Sequence, residues 1–316
     1  MTQGPEASGN WTAADMPPLG GKVFLVTGAT GGLGFETVKA LAMKGARVLM
    51  ACRNVRAGER ACRIAQALAP ETRVEVVPLN LADLDSVRAC ADAVLAEHAA
   101  LDGLINNAGV MAVPYRQTKD GFEMQFGVNH LGHFALTGRL LPALLRAAAS
   151  RVVAVSSLAH RRGRRHFDGP DRERPYDRWR AYADSKLANL LFAFELERRF
   201  RAAGAGAMSL AAHPGYAATG LQRQDPRRAG PAWGTWIASL GNALLAQPAE
   251  QGALPLLRAA TDPAARGGEY YGPGGRLELR GAPVPVRASA RAHDEEAAER
   301  LWEVSERLTG VVYDFG

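Results

Sequence analysis

Short apolar runs alternate with stretches of helical spacing along most of this chain. The first run, Lys22–Thr27 (KVFLVT), is almost continuously apolar, which favours a parallel strand buried on both faces. The alternation predicts one doubly wound parallel α/β sheet of about seven strands, flanked by helices. The predicted strands are Lys22–Thr27, Arg47–Ala51, Val74–Leu79, Gly103–Asn106, Arg151–Ser156, Met208–Ala212 and about 269–272, and the predicted helices are Phe35–Lys44, Ala57–Ala69, about 84–98, 121–147 and 179–202, and Asp294–Leu308.

Three stretches fall outside this alternation. Residues 1–20 are small, polar and rich in proline and glycine, and we interpret them as a flexible leader before a single domain over residues 21–316. Two long segments, about 158–178 and 216–248, interrupt the sheet pattern. The start of the chain lacks the features of a signal peptide, and no stretch of 18 apolar residues occurs, so no membrane span is expected.

Composition narrows the classes of function. The 316 residues carry 38 Lys plus Arg against 32 Asp plus Glu, a net charge of +6, which is too small and too dispersed to indicate nucleic-acid binding. Cys52, Cys62 and Cys90 form no CxxC pair and have no histidine at metal-ligand spacing. They are typical of reduced thiols, so a cytoplasmic protein without a bound metal is expected.

The first predicted strand runs directly into a glycine-rich loop, residues 27–34 (TGATGGLG). Glycines there permit a tight turn and a close approach to a pyrophosphate, toward which the N–H groups of the next helix point. This strand–loop–helix context is what a Rossmann-type dinucleotide site requires; a tight turn without a ligand is the alternative. The expected cofactor contacts in the loop are Gly28, Thr30, Gly32, Leu33 and Gly34.

The end of the second predicted strand bears on the choice of dinucleotide. An NAD site has a carboxylate there, which accepts a hydrogen bond from the ribose 2′-hydroxyl. This chain has Ala51-Cys52-Arg53-Asn54, with no acidic residue before Glu59. The planar guanidinium of Arg53 suits a 2′-phosphate, which predicts NADP(H); a solvated loop arginine is the alternative.

Tyr182 and Lys186 stand four residues apart and therefore share one face of a predicted helix. A nearby ammonium stabilises a phenolate and brings a tyrosine toward a useful acid–base range. Ser157 follows the fifth predicted strand, at the edge where open α/β sheets bind ligands. A hydroxyl there can donate to a substrate carbonyl oxygen.

Other motifs follow in a fixed order. The chain contains NNAG at Asn106–Gly109, then Asn129, Ser157, the Tyr182–Lys186 pair and Pro214–Gly215. Together with the glycine loop, these resemble the short-chain dehydrogenase/reductase family over about residues 20–310. The closer similarity is to the branch of retinol dehydrogenases and light-dependent protochlorophyllide reductase, through ACRN (51–54), NHLGHF (129–134), SSLAH (156–160) and YADSKLANLLF (182–192).

The resemblance implies a catalytic role for four matching residues. Tyr182 is then the general acid in reduction and the base in oxidation. Lys186 lowers the tyrosine pKa and holds the ribose hydroxyls of the nicotinamide half. Ser157 polarises the carbonyl, with Ser156 the weaker candidate for this role, and Asn129 supports a water chain that brings protons to Lys186.

The resemblance also implies further cofactor contacts. The family usually has an aspartate after the third strand that binds the adenine amino group, whereas this chain has Asn80 followed by Leu81. The amide retains the ability to make that contact, and Asp83 is an alternative. The remaining implied contacts are Asn107, Ala108 and Gly109 beside the adenosine ribose, and Pro214, Gly215 and Thr219 along the nicotinamide.

The two long segments are the variable parts. Ser157 and Tyr182 are 25 residues apart, a longer spacing than is usual in the family, because of an insertion over Arg161–Arg180 that retinol-dehydrogenase-like members also carry. The basic cluster His160–His166 (HRRGRRH) either steers an anionic substrate or, as we favour, is a solvated loop paired with the acidic residues after it.

The second variable segment follows Pro214–Gly215, where the family places a substrate lid. Its apolar residues recur at helical spacing. They form either an apolar lid over a bulky substrate or ordinary packing against the body or a partner. The expected substrate contacts are Tyr216, Trp233 and Trp236.

His130 and His133 flank Gly132, but no third ligand is near in sequence, so core packing is favoured over a metal.

We therefore expect an NADP(H)-dependent oxidoreductase that interconverts a ketone or aldehyde and the matching alcohol, without metal. A non-catalytic NADP-binding regulator or scaffold, and a reductase of a ring C=C bond, stay open as alternatives. The expected partner is a small carbonyl or alcohol substrate, and the resemblance implies a homodimer or tetramer formed through the helix of Tyr182 and the one before it.

Overall fold

The computed structural model describes residues 10–164, 175–216 and 247–316. Eight strands in these residues form one sheet, in the order β3-β2-β1-β4-β5-β6-β7-β8. Neighbouring strands are parallel except for β8, which is antiparallel to β7. The strands are β1 (Val23–Thr27), β2 (Arg47–Cys52), β3 (Val74–Pro78), β4 (Gly103–Asn106), β5 (Arg151–Val155), β6 (Met208–Ala212), β7 (Tyr270–Pro273) and β8 (Pro283–Pro285).

Helices cover both faces of this sheet. One face carries α1, α2 and α7, and the other carries α3, α5, α6 and α8. The α-helices are α1 (Gly32–Met43), α2 (Val55–Leu68), α3 (Leu84–Glu97), α4 (Met124–Phe126), α5 (Gly132–Arg146), α6 (Arg178–Ala202), α7 (Ala249–Thr261) and α8 (Glu295–Thr309), with a π-helical turn over Gly127–Leu131 between α4 and α5.

The double covering explains why the strands are apolar along their whole length. Successive strand residues point to opposite faces, so Leu25 belongs to the core under α5 and α6, while Val26 belongs to the core under α1 and α7. Both side chains are fully buried. The predicted doubly wound sheet is confirmed.

Three features differ from the sequence prediction. The sheet has eight strands rather than about seven, because the short edge strand β8 adds to β7. Helix α7 was not predicted. The expected flexible leader over residues 1–20 is wrong for its second half, since Trp11, Met16 and Leu19 are buried in the core under α1 and α7.

The C-terminal helix α8 and the tail after it cover α5 and α6. Trp302 stacks on Phe192 with ring centroids 5.8 Å apart, and the Tyr313 hydroxyl donates to the carbonyl of Phe134 at 2.7 Å. Both Trp302 and Phe134 are almost completely buried. Over the described parts of the chain, no helix is long and apolar enough to cross a bilayer.

Candidate active site

The carboxyl ends of β1, β4, β5 and β6 meet at one edge of the sheet, and the loops that follow them form the candidate site. At the end of β1, Gly28 and Gly32 have φ values of +67° and +55°, which residues with a Cβ rarely adopt. A Cβ on Gly34 would lie 2.4 Å from the carbonyl oxygen of Gly28, so the helix can approach the loop only with glycine at this position.

The start of helix α1 is open to an anion. Its N-cap residue, Gly31, makes no side-chain cap hydrogen bond, and Thr30 and Gly31 are exposed. Leu33 and Gly34 are buried beneath them. Unpaired N–H groups at a helix N-terminus suit a pyrophosphate, so the loop fits the phosphates of a dinucleotide.

The loop after β4 is fastened to the end of β1. The backbone N–H groups of Asn107 and Ala108 donate to the Thr27 hydroxyl at 3.0 and 2.9 Å, and the Asn107 amide donates to the Thr27 carbonyl at 2.8 Å. The side chain of Asn107 therefore holds two strand ends together. Gly109 packs closely on Asn129, since a Cβ at this position would lie 3.1 Å from Oδ1 of Asn129 and 3.6 Å from Nζ of Lys186.

Asn129 lies in the π-helical turn and is completely buried. Its amide nitrogen donates to the Val110 carbonyl and to the Ser185 hydroxyl, both at 2.9 Å, and its Oδ1 accepts from the Val110 N–H at 2.8 Å. The side chain is thus used to anchor the loop after β4. Its backbone carbonyl lies 3.0 Å from Nδ1 of His133.

The two histidines beside Gly132 are core residues. His133 bonds Thr27 through Nε2 at 2.9 Å, and His130 bonds Ser305 on α8 at 2.8 Å. Burial lowers the pKa of His130 to about 3 and that of His133 to about 4, so both are neutral at physiological pH. Within the described residues no group of three potential ligands could hold a metal ion.

Ser157, Tyr182 and Lys186 meet at the end of β5. Tyr182 and Lys186 are one turn apart on α6, with Nζ of Lys186 5.8 Å from the centroid of the phenol ring. Nζ also donates to the Val155 carbonyl at 3.0 Å. The Ser157 side chain lies near enough to Tyr182 to affect its pKa and accepts from the Ala159 N–H at 3.2 Å. Ser156 instead donates to the Lys186 carbonyl at 2.8 Å.

Burial sets the protonation of this group. It raises the pKa of Tyr182, with a smaller opposite effect from the neighbouring Ser157 hydroxyl. It lowers the pKa of Lys186 to about 8. The sequence led us to expect a lowered tyrosine pKa. In this structure desolvation is the largest effect on the Tyr182 pKa, so the phenol stays protonated and can act as an acid.

The adenosine side is open. Arg53 is exposed at the end of β2, and among the described residues it has no ion pair. Asn80 is half-buried and accepts from the Ala82 N–H at 3.3 Å, and Leu81 is buried. Asp83, our alternative adenine contact, caps α3 and pairs with Lys119 at 3.0 Å, so its carboxylate is already used.

The turn after β6 closes on itself. Gly215 has φ +66°, the Pro214 carbonyl accepts from the Gln247 side chain at 2.6 Å, and the Tyr216 carbonyl accepts from the Gln247 N–H at 2.9 Å. Residues 216 and 247 are therefore adjacent. Thr219, Trp233 and Trp236 lie outside the described residues, as do 165–174 of the first variable segment.

Over its described part, the basic cluster agrees only partly with the solvated loop that we favoured, because Arg161, Arg162 and Arg164 are exposed, whereas His160 is not. His160 is completely buried, with Nδ1 2.7 Å from the Ser157 carbonyl and Nε2 accepting from the Ser289 N–H at 3.2 Å. Burial lowers its pKa to about 4. Arg161 pairs with Glu278 at 2.7 Å, and Glu278 also bonds His213. Glu278 and His213 belong to no local sequence motif that would have identified them beforehand.

The chain is similar to known proteins in its family pattern, its sequence and its fold. A family model described as short chain dehydrogenase matches residues 22–229. Human retinol dehydrogenase 11 is 44% identical over 296 residues, covering 94% of this chain and 88% of the relative. A crystal structure of an uncharacterized protein from Mycobacterium paratuberculosis is 44% identical and covers 96% of this chain and 99% of that one, with a TM-score of 0.79. A short chain dehydrogenase from Shigella flexneri complexed with NADP shares the fold at 21% identity, with a TM-score of 0.61 over 81% of this chain and 98% of that one.

Proposed function

Since the chain belongs to the short-chain dehydrogenase/reductase family and is thereby an oxidoreductase, we propose that it transfers hydride between NADP(H) and a ketone, aldehyde or matching alcohol. The observation that carries this proposal is the buried Tyr182, with Nζ of Lys186 5.8 Å from its ring centroid and Ser157 beside it at the end of β5. These three groups lie at the same sheet edge as the glycine loop. A substrate oxygen and a dinucleotide can thus be held side by side, which supplies much of a hydride-transfer rate.

Each of the three side chains has a distinct part. Bound NADPH supplies the hydride. The hydroxyls of Tyr182 and Ser157 donate to the carbonyl oxygen, where negative charge develops, and preorganised donors at such a position stabilise the transition state. Tyr182 then gives its proton to that oxygen, and the ammonium of Lys186 stabilises the phenolate left behind.

Lys186 retains donors for a second partner. An ammonium has three hydrogens, and among the described residues the Val155 carbonyl takes one of them. Nζ lies close to the backbone of Gly109, since a Cβ at that position would be 3.6 Å from it. We assign the remaining hydrogens of Lys186 to the ribose hydroxyls of the nicotinamide half. Pro214 and Gly215 are assigned to contacts with the nicotinamide itself.

NADP(H) is favoured over NAD(H) by the residues after β2. Arg53 is exposed there, and residues 53–58 include no carboxylate. A guanidinium pairs with a 2′-phosphate, whereas a carboxylate would repel it. The adenine amino group is assigned to Asn80. The Shigella protein was solved with NADP, which agrees with this choice but at the level of fold only.

The proposed substrate is bulky and apolar. Four relatives of 39–44% identity are named for retinol, a large apolar alcohol. Trp179, one turn before Tyr182 on α6, is 55% exposed. Tyr216 sits at the base of the second variable segment, and we assign it, with Trp233 and Trp236, to contacts with such a substrate.

The test is steady-state oxidation of NADPH and of NADH over a panel of apolar aldehydes and ketones, retinal included. We expect turnover with NADPH, and we expect Tyr182→Phe to lower kcat by roughly 100-fold or more while the Kd for NADPH stays within about twofold. NADPH binding without turnover of any carbonyl, or an active Tyr182→Phe variant, would contradict the proposal.

A further inference from the structure

A turn near the C-terminus holds an uncommon backbone conformation. Leu277 and Glu278 are consecutive residues with φ values of +59° and +57°. Residues with a Cβ are strained in this region, and such strain persists only where the surroundings hold it in place. The turn Arg276–Glu278 lies between β7 and β8, far in sequence from the residues assigned to catalysis.

The carboxylate of Glu278 bonds two side chains from different loops. Oε1 accepts from Nη2 of Arg161 at 2.7 Å, and Oε2 lies 3.1 Å from Nε2 of His213. Nδ1 of His213 accepts the N–H of Gly215 at 3.2 Å. Because Nδ1 is an acceptor, the ring proton is on Nε2 and is donated to Glu278.

Each partner belongs to a loop of the candidate site. Arg161 lies in the short helix Leu158–Arg162, whose N-cap is Ser157. His213 follows β6 and directly precedes Pro214–Gly215, the turn assigned to the nicotinamide. Glu278 is therefore the common partner of the serine loop and of the nicotinamide turn.

The Pro214–Gly215 turn is packed too tightly to move freely. The Tyr216 N–H donates to the Leu279 carbonyl at 2.9 Å. A Cβ on Gly215 would lie 2.5 Å from that oxygen, and a Cβ on Gly272 would lie 2.0 Å from Nε2 of His213. The imidazole of His213 is completely buried, so water cannot replace Glu278 as the partner of its N–H.

We propose that Glu278 is a positioning residue, which holds the Ser157 loop and the Pro214–Gly215 turn at a fixed separation through Arg161 and His213. It rests on the proposed function, because the separation matters only if the serine hydroxyl and the nicotinamide flank one substrate. Glu278 acts through its two partners and does not contact substrate or cofactor. The acceptor pair it provides is specific, since an amide at this place would offer one acceptor and present an N–H to the other partner.

The experiment is a double-mutant cycle on the full-length protein with Glu278→Gln, Arg161→Gln and the double variant. Glu269→Gln is the matched control, because Glu269 is a carboxylate next to β7 that bonds the Tyr271 hydroxyl and the Arg266 N–H instead. Active sites are counted by NADPH binding, so kcat refers to folded protein only. The melting temperature of every variant is recorded.

We expect Glu278→Gln to lower kcat per active site by roughly 10- to 100-fold, the effect of a misplaced catalytic group, and to raise the Kd for NADPH several-fold. Arg161→Gln should do the same to a smaller extent, and the double variant should be no worse than Glu278→Gln. Glu269→Gln should leave kcat and Kd unchanged. A residue with only a structural role would lower the melting temperature without changing kcat per active site.

The proposal is overturned if the wild type turns over and Glu278→Gln matches Glu269→Gln, or if the effects of Glu278→Gln and Arg161→Gln are additive. If the wild type binds NADPH but reduces no carbonyl, the proposed function fails instead. The cycle in the Kd for NADPH then decides the positioning role, since coupled effects support it and additive effects exclude it.

Discussion

At the scale of single residues, the proposed reaction depends on two side chains whose burial opposes their charged forms. Tyr182 and Lys186 are 8% and 4% exposed, and desolvation disfavours both phenolate and ammonium. A protonated phenol is the form that reduction needs. A charged lysine is also needed, because it must stabilise the phenolate that forms. The two requirements together set an alkaline limit to activity.

The pH dependence follows from the lysine. Its pKa is lowered to about 8, so the ammonium is present below that pH and is lost as the pH rises through it, whereas the raised pKa of Tyr182 keeps the phenol protonated. We expect kcat/KM for NADPH, which reports the free enzyme, to fall above about pH 8. Stopped-flow or steady-state rates across neutral and alkaline buffers measure it. A profile flat through this range would show that Lys186 carries no charge the reaction needs.

In the proposed function, the choice of NADP(H) over NAD(H) also depends on one residue, Arg53. Replacing Arg53 by Asp removes the partner of a 2′-phosphate and adds a repelling carboxylate. We expect NADPH binding to weaken by about 2 kcal/mol, the usual scale of a hydrogen bond to a charged group, with little loss for NADH. Calorimetric titration measures both. Arg63→Asp is the matched control, since Arg63 is exposed farther along α2, and equal losses in the two variants would argue against the contact.

At the scale of secondary-structure elements, those predicted from sequence were the ones whose pattern is local. Strands β4 and β6 lie where the apolar runs placed them, because a run buried on both faces needs no partner to be recognised. Helix α7 was missed because it contains Gly252 and Pro255, which disfavour a helix unless packing compensates. In α7, Leu256 and Ala253 are completely buried against the core.

The other features that were not predicted depend on contacts between residues that are distant in sequence. The two prolines of β8 indicate the absence of a strand when only the sequence is considered, yet a strand at the edge of a sheet tolerates them. Glu278 meets Arg161 across 117 residues, and no spacing rule connects such a pair. The proximity of Tyr182, Ser157 and Lys186 could be predicted because a helix face and a strand end bring them together, whereas the groups that hold them in place could not.

The strained turn makes a prediction about one element. Leu277 has φ +59° and its residue is 71% exposed, so glycine relieves strain there without removing packing. We expect Leu277→Gly to raise the free energy of unfolding by up to about 1 kcal/mol, measured by urea denaturation. Ile64→Gly is the matched control, because Ile64 is 54% exposed in the middle of α2 and should lose about 1 kcal/mol. A loss at both positions would mean that the turn is not strained.

At the scale of the whole molecule, α8 and the tail decide which surfaces of α5 and α6 are available. The resemblance led us to expect pairing of two chains through these helices. In this structure the chain's own Trp302, Tyr313 and Phe315 cover them, and Ser305 takes the buried His130 as a partner. We therefore expect any self-association to use a surface other than the one under α8.

Because of this packing, Trp302 is a buried core residue that we expect to contribute strongly to stability. Trp302→Ala removes a ring packed on Phe134, Phe192 and Tyr313, and we expect it to lower the free energy of unfolding by about 3–5 kcal/mol and to promote self-association through the exposed aromatic face. Denaturant titration and light scattering measure the two effects. Trp179→Ala provides the comparison, because Trp179 is 55% exposed and should change stability by less than about 0.5 kcal/mol. A Trp302→Ala variant as stable and as monodisperse as Trp179→Ala would show that α8 is dispensable, and the faces of α5 and α6 would again be candidates for pairing between chains.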